Sequence, residues 1–312
     1  MPELPEVQTT VNYLKREISG LSIKDVWSCY DSPFYKNKEN IKDKNYFKKM
    51  KKEVRGRTIS DVERKGKNIL IHLSGDVTIL IHMKMTGHLL YGEYRRTNRK
   101  EKRVTFENWI AVKKGPMRDD PFNRFIRLVF TLSNGLHLVL SDARKFATVF
   151  IYNTKDPPVS LMKLGPDPLQ KNFTFKKFLE CFPFLVGKQI KQTLLEQTVI
   201  SGIGNIYSDE ILWSAGVHPE SSIEAIPQKK LYKIFSSMKF ILHQGIDLGG
   251  NSVSDYRKPD GKKGSYQYRH KAYQKKGRKC SRRNCNGTIV RRMIKGRSTF
   301  FCCEHQILYN SK

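Results

Sequence analysis

The sequence predicts an α+β chain: an N-terminal β-sandwich led by one helix, a helical segment, and a C-terminal metal-binding β-hairpin. Three observations carry this. Residues 1–150 hold short apolar runs separated by turn signals, after a single stretch of helical period. From Asp156 a proline-rich connector, "PVSLMKLGPDPL", gives way to segments with apolar residues at helical spacing. Four of the six cysteines lie between positions 280 and 303, around a stretch that reads as a β-hairpin. The expected parts are 1–153, 154–264 and 265–312.

The first helix is expected from about Pro5 to Ser19, where Val7, Val11, Leu14 and Ile18 form one apolar stripe. The runs "VTILIHMKM", "FIRLVFTL" and "LHLVLSDA" then read as strands, the last two joined by Ser133-Asn134-Gly135, a hairpin turn. Residues 91–121 are polar and without clear period, which predicts an inserted loop. Helices are expected over about 174–182, 189–198, 206–215 and 228–246. Within them "TLLEQTVISGIGNIYSDEILWSAG" reads helix–turn–helix, with Gly202 and Gly204 in the turn and Asn205 as N-cap of the second helix. Such a glycine-flanked helix start offers backbone N–H groups to a phosphate, although most turns of this kind only join helices.

The C-terminal cysteines fit a metal site better than disulfides, because the opening residues lack the pattern of a secretory signal, so an oxidising compartment is not expected, and the spacing is that of ligand pairs. Cys280-x4-Cys285 supplies one pair and Cys302-x2-His305 the other, with Cys303 as the alternative fourth ligand. A hairpin this short has little core of its own, and one tetrahedral structural zinc ion would supply folding free energy.

Charge narrows the partner. Lys and Arg number 58 against 29 Asp and Glu, a net +29, which points to a polyanion. The surplus is concentrated: Tyr256 to Cys303 holds 16 basic residues and one acidic residue, Asp260, interleaved with Tyr256, Tyr266, Tyr268 and Tyr273. Cations alternating with stacking surfaces suit nucleic acid. No run approaches the 18 apolar residues of a membrane span. A soluble monomer of the cytoplasm, associated with the nucleoid, is therefore expected, with no signal peptide and no membrane partner.

The opening "MPELPEV" has a specific chemical reading. Removal of the initiator methionine leaves Pro2 with a free secondary amine beside the Glu3 carboxylate, and such an amine can form a Schiff base. Together with "LLEQTVISGIGNIYSDE" and a terminal hairpin carrying "GRSTFFC", it resembles the formamidopyrimidine-DNA glycosylase/endonuclease VIII family, over nearly the whole chain and in the family's order.

The resemblance implies a bifunctional DNA glycosylase and abasic-site lyase of base excision repair, acting on double-stranded DNA that contains oxidised bases or abasic sites. It implies a helix–two-turns–helix domain in the helical part and a zinc finger at the end. Pro2 would attack C1′, Glu3 would act as general acid/base, Lys67 and Arg297 would work at the lesion phosphates, and Glu6 would support the N-terminal helix. Flipping a base out of the stack leaves a void. The resemblance assigns its filling to Met85, Arg144 and Phe146, and further DNA contacts to Lys191 and Asn205. The connector "LGPDPL" and the stretch "DYRKPDGKKGSYQYRHKAY" resemble the branch that removes oxidised purines, 8-oxoguanine and formamidopyrimidines, with β- and δ-elimination. The alternatives are an endonuclease VIII-like enzyme for oxidised pyrimidines and a non-catalytic DNA-binding relative. Three departures from the family pattern stand out: the x4 first cysteine pair with a Cys–His second pair, Ala147 where a glycine is usual, and the long 91–121 insertion, to which the resemblance gives no role.

Overall fold

The computed structural model describes residues 1–30, 32–101, 104–182 and 187–310. Its helices are α1 (Leu4–Ile18), α2 (Lys44–Val54), α3 (Pro116–Asp119), α4 (Val159–Met162), α5 (Phe175–Glu180), α6 (Ile190–Leu195), α7 (Asn205–Ala215) and α8 (Gln228–Asp247). Its strands are β1 (Ile23–Ser28), β2 (Ile59–Lys65), β3 (Asn68–Leu73), β4 (Val77–His82), β5 (His88–Gly92), β6 (Tyr94–Glu101), β7 (Val104–Ala111), β8 (Ile126–Leu132), β9 (His137–Ser141), β10 (Thr148–Asn153), β11 (Ile289–Ile294) and β12 (Arg297–Cys302). The chain divides into two compact units, Met1–Val159 with Gly249–Ser265, and Ser160–Leu248 with Tyr266–Lys312. No helix among the described residues is long and apolar enough to cross a membrane.

The first unit is a sandwich of two antiparallel four-stranded sheets, ordered β1-β8-β9-β5 and β10-β4-β3-β2. Each strand sends alternate side chains to one face. Ile69, Ile71, Ile79 and Ile81 from one sheet and Leu128, Phe130, Leu138 and Leu140 from the other meet in one core. The α1 stripe Val7, Val11, Leu14 and Ile18 packs into the same core, and burying each such side chain contributes about 1.5–3 kcal/mol. Helix α1 starts where it does because Glu3 and Glu6 form a reciprocal capping box and Pro5 lies in the first turn, where its missing N–H costs nothing.

Two expectations need correction. The 91–121 insertion is not an irregular loop: β6 and β7 pair in register from Tyr94↔Ala111 to Glu101↔Val104, and α3 follows. Strand β6 is too rich in charged residues to show an apolar period, which leaves β7 without a visible partner strand, and residues 102–103 lie outside the described residues. What anchors the hairpin is its base, where Tyr94, Trp109 and Ala111 pack with Leu90, Ile126, Val129 and Val139. Likewise, residues 249–265 belong with the sandwich rather than with the helical part. Asn251, Tyr256 and Arg257 each bond within the first unit.

In the second unit α6, α7 and α8 form the helical core. Gly216 at φ +70° closes α7 in the left-handed conformation that a glycine adopts without strain. The β11–β12 hairpin follows, with Ile294 paired to Arg297 across the turn residues Lys295 (φ +46°) and Gly296 (φ +75°). Left-handed values at both turn positions define a tight turn whose twist matches the strands.

Candidate active site

The N-terminus of α1 is held from two sides by one carboxylate. Glu6 Oε2 accepts the Glu3 backbone N–H at 2.7 Å, and Glu6 Oε1 accepts the Asn251 N–H at 2.7 Å. Tyr256 donates its hydroxyl to the Glu6 carbonyl at 3.1 Å, as does Thr10 at 2.9 Å. Pro2, Glu3 and Glu6 are all buried. A carboxylate is almost never fully buried without partners, so two of them at one helix start mark a built site rather than a loose terminus.

Lys67 lies in the two-residue β2–β3 turn with Gly66, yet is only 8% exposed. Arg64 fixes this turn, donating to the Gly66 carbonyl at 3.0 Å and to Gln8 Oε1 of α1 at 2.7 Å. His82, at the end of neighbouring β4, is kept neutral: burial first, then the Lys84 and Lys67 ammonium groups, push its pKa down to about 3. Its Nδ1 accepts the Lys84 N–H at 3.0 Å, which fixes the tautomer.

Met85, Arg144 and Phe146 sit on two loops of the first unit. Met85 is 43% exposed and Phe146 46%, and the Arg144 guanidinium lies 4.4 Å from the centroid of the Phe146 ring. The guanidinium and the exposed ring thus stand side by side at the surface. Both loops hang from one buried carboxylate, Asp142, which sequence reasoning did not single out. Its Oδ1 accepts the Thr86 hydroxyl, and its Oδ2 accepts the Ala147 N–H at 2.8 Å and the Tyr30 hydroxyl at 3.2 Å. Thr86 Oγ1 in turn accepts the Arg144 N–H at 3.1 Å, so the loops are cross-linked directly. The signal lay within "SDARKFA", immediately before the two residues that drew attention.

The second unit gathers Lys191, Asn205 and Arg297 at the start of β12. Arg297 is exposed beside the hairpin turn. Lys191 was expected to contact phosphate, but it is only 1% exposed, and its ammonium donates to Asp209 Oδ1 (2.6 Å), Thr299 Oγ1 (2.7 Å) and the Ser298 carbonyl (3.5 Å). An ammonium has three donors, and all three are engaged. Its place is therefore under the hairpin rather than on its surface. Burial pushes the Asp209 carboxyl up to about 7, while the adjacent Lys191 ammonium and the Phe300 N–H, donated to Oδ2 at 3.0 Å, work against that rise. Asn205 also departs from expectation. The N-cap of α7 is Gly204, and Asn205 Nδ2 instead donates to the Ser298 carbonyl at 2.9 Å.

Cys280, Cys285, Cys302 and His305 bring their ligand atoms within 4.8 Å of one another. The separations are 3.3 Å from Cys280 Sγ to His305 Nδ1, 3.6 Å from Cys285 Sγ to Cys302 Sγ and 3.9 Å from Cys285 Sγ to His305 Nδ1. Ligands about 2.0–2.3 Å from a tetrahedrally coordinated ion stand about 3.3–3.8 Å apart, so the cluster has the size to hold one metal ion. His305 Nε2 donates to the Trp213 carbonyl at 2.9 Å, leaving the Nδ1 lone pair for the cluster. Cys303 points elsewhere: it is exposed, and its Sγ lies 3.8 Å from Thr288 Oγ1.

Known proteins are similar to this chain over nearly its whole length. The formamidopyrimidine-DNA glycosylase N-terminal domain matches residues 1–149, and the formamidopyrimidine-DNA glycosylase H2TH domain matches residues 164–257. A formamidopyrimidine-DNA glycosylase of Heliobacterium modesticaldum is 32% identical, covering 97% of this chain and 98% of its own length. Among solved structures, a variant of the Lactococcus lactis Fpg protein bound to Fapy-dG-containing DNA is 30% identical with a TM-score of 0.78, covering 98% of this chain and 99% of that one. The wild-type Lactococcus lactis protein bound to DNA containing an oxidised pyrimidine is 30% identical with a TM-score of 0.77, at the same coverage. With domain matches over most of its length and relatives matching end to end, the chain belongs to the formamidopyrimidine-DNA glycosylase family.

Proposed function

We propose that this chain excises oxidised purines from duplex DNA and then cleaves the strand at the resulting abasic site, with Pro2 as nucleophile. The observation that carries the reading is the anchored start of α1, where the buried Glu6 carboxylate fixes the Glu3 backbone and so orients the residues on either side of it. An α-amine titrates at about 7.7–8, so part of it is free to attack at neutral pH. The Pro2 nitrogen bonds to C1′, the C1′–base bond breaks, and the base leaves with a proton supplied through Glu3. The sugar ring then opens, the C1′–O4′ bond breaking as O4′ takes up a proton, and the iminium so formed acidifies C2′; loss of a C2′ proton expels the 3′ phosphate, and a second elimination expels the 5′ phosphate. No nucleotide cofactor enters this sequence.

Lys67, at a turn fixed against α1, and Arg297, exposed at the hairpin turn, are the cations for the lesion phosphates. Met85, Phe146 and Arg144 fill the space left by the flipped base and face its partner, the use to which exposed apolar wedges and arginines are suited. Asn205 and Lys191 support the hairpin that carries Arg297 rather than gripping DNA themselves. Cys280, Cys285, Cys302 and His305 would hold one structural zinc ion, the metal that a tetrahedral thiolate–imidazole set favours, and its contribution is folding free energy. Acting on genomic DNA, the protein would work in the cytoplasm at the nucleoid.

Borohydride trapping tests the reading. One duplex carries 8-oxoguanine opposite cytosine, the other an oxidised thymine. A reduced adduct mapped to Pro2 with the 8-oxoguanine duplex is the expected result. Trapping confined to oxidised thymine moves the substrate to oxidised pyrimidines, a lesion class to which the Lactococcus lactis relative has been solved bound. No adduct with either duplex, despite tight binding, refutes the catalytic reading.

A further inference from the structure

The end of the insertion, together with the residues that join it to β8, grips a stretch of chain far away in sequence. Arg257, 2% exposed, donates its Nε to Asp120 Oδ2 at 2.7 Å and its Nη1 to the carbonyls of Ser254 (2.7 Å) and Tyr256 (2.8 Å). Its guanidinium lies 4.8 Å from the centroid of the Phe122 ring. Asn123 Nδ2 donates to the Gly261 carbonyl at 3.1 Å and to the Pro116 carbonyl at 2.8 Å, while its Oδ1 pairs with His88 Nε2 at 2.9 Å. Gly261 (φ +80°) packs so closely that a Cβ there would stand 2.6 Å from Met117 Cα. A buried guanidinium with its donors engaged in this way is a fixed point rather than a surface tether.

The gripped stretch leads directly to the proposed catalytic end of α1. Tyr256, next to Arg257, donates its hydroxyl to the Glu6 carbonyl, and the Asn251 N–H donates to the Glu6 carboxylate. Gly250 (φ +82°) lies so near that a Cβ would stand 2.9 Å from Glu6 Cγ. Glu6 holds the Glu3 N–H with its other oxygen. Bonds therefore run without a gap from Asp120, through Arg257, Tyr256 and Glu6, to Glu3.

Resting on the function proposed above, we propose that Asp120 and Asn123 are positioning residues for base excision. They clamp residues 257–261 so that segment 249–265 stays seated on Glu6, and Glu6 in turn sets the Pro2–Glu3 end of α1. The clamp supplies a role for the insertion that sequence reasoning could not assign. It also removes the entropy of ordering that segment from the cost of reaching a reactive geometry.

The test is single-turnover excision of 8-oxoguanine with enzyme in saturating excess, alongside duplex Kd and thermal unfolding, for the full-length protein and for Asp120→Asn, Asp120→Glu and Asn123→Ala. Displacement of a reacting group by an ångström costs up to about a hundredfold in rate, so Asp120→Asn and Asn123→Ala are expected to slow excision by roughly ten- to a hundredfold. The Kd should stay unchanged, the proteins should remain folded at the assay temperature, and Asp120→Glu should recover part of the rate. A wild-type rate in both Asp120→Asn and Asn123→Ala overturns the clamp and leaves the proposed function standing. So does a loss of rate that only tracks the fraction unfolded. Absence of excision by the unmutated protein overturns both proposals, and is read before any variant.

Discussion

Replacing Lys191 with methionine keeps the volume of the side chain and removes its charge, leaving Asp209 without a counter-ion in a site that is 1% exposed. Breaking a buried pair in this way costs about 3–5 kcal/mol, because the remaining charge is uncompensated. The size of the loss should depend on pH, with a definite sign. In the wild type, burial already raises the Asp209 carboxyl to about 7, above the 3.8 of an unperturbed group. A raised carboxyl contributes stability at low pH that is lost as pH climbs through the folded-state pKa. Both effects of Lys191 on Asp209 lower that pKa, so the variant carries it higher still. At pH 6 the carboxyl is largely protonated in both proteins, and the variant loses only its hydrogen bonds, about 1–3 kcal/mol. Above pH 7 the wild type has released the proton while the variant has not. Its deficit then grows by about 1.4 kcal/mol per pH unit, or about 2 kcal/mol by pH 8.5. Urea unfolding followed by tryptophan fluorescence reads the second unit through Trp213, its sole tryptophan. With a slope of about 1–3 kcal/mol per molar, the midpoint should fall by about a molar or more at pH 8.5, and by less at pH 6. An equal shift at both pH values, or none, would show that Asp209 carries no uncompensated charge and would refute the argument.

Two further predictions concern surfaces and metal. His305→Ala or Cys285→Ser should lose the single bound metal ion and lower the stability of the second unit, whereas Cys303→Ser should retain it. Elemental analysis of the purified variants decides this, and metal loss from Cys303→Ser would move the fourth ligand away from His305. Met85→Ala and Phe146→Ala should each weaken binding to a lesion-containing duplex by about 1–3 kcal/mol, the usual worth of a stacked or wedged side chain. Both should leave cleavage of an abasic single strand intact, since there is no void to fill. Equal losses on duplex and single strand would remove these residues from that role.

Much of this architecture was legible because it rests on local periodicity. The α1 stripe, the hairpin joining β8 to β9, the glycine-flanked turn before α7 and the spacing of the metal ligands are each written within at most 26 consecutive residues. The structure places them within a few positions of where they were expected. His305 could be favoured over Cys303 for a geometric reason: adjacent strand residues point to opposite faces, so Cys302 and Cys303 do not readily share one ion. The β6–β7 hairpin was missed because β6 carries arginine, lysine, asparagine and glutamate where an alternating apolar pattern would have signalled it, so β7 had no strand to pair with. Among the described residues the base of the hairpin is what packs into the core, through Tyr94, Trp109 and Ala111, and packing is what writes a pattern into a strand.

Lys191, Asp142 and Arg257, misread or overlooked in the sequence, share one property: they are charged and buried. Lys191 pairs with a residue 18 positions away, Asp142 with one 56 away and Arg257 with one 137 away. A sequence displays a charge without displaying its solvation. The default reading of a lysine in a basic protein is a surface contact, which is right for most of the 58 basic residues and wrong for Lys191. Burying an ion is costly unless a partner is fixed in place, so a fold keeps such pairs only where two segments must not drift apart. That is where these three lie. Lys191 sits under the strand that begins with Arg297, Asp142 between the loops of Met85 and Phe146, and Arg257 beside the segment seated on Glu6. The exposed residues supply contacts that motif resemblance can name, and the buried ion pairs and hydrogen-bonded carboxylates determine where those contacts stand. A substitution that preserves every motif residue and neutralises one buried partner should therefore impair the chemistry while leaving the family signature intact.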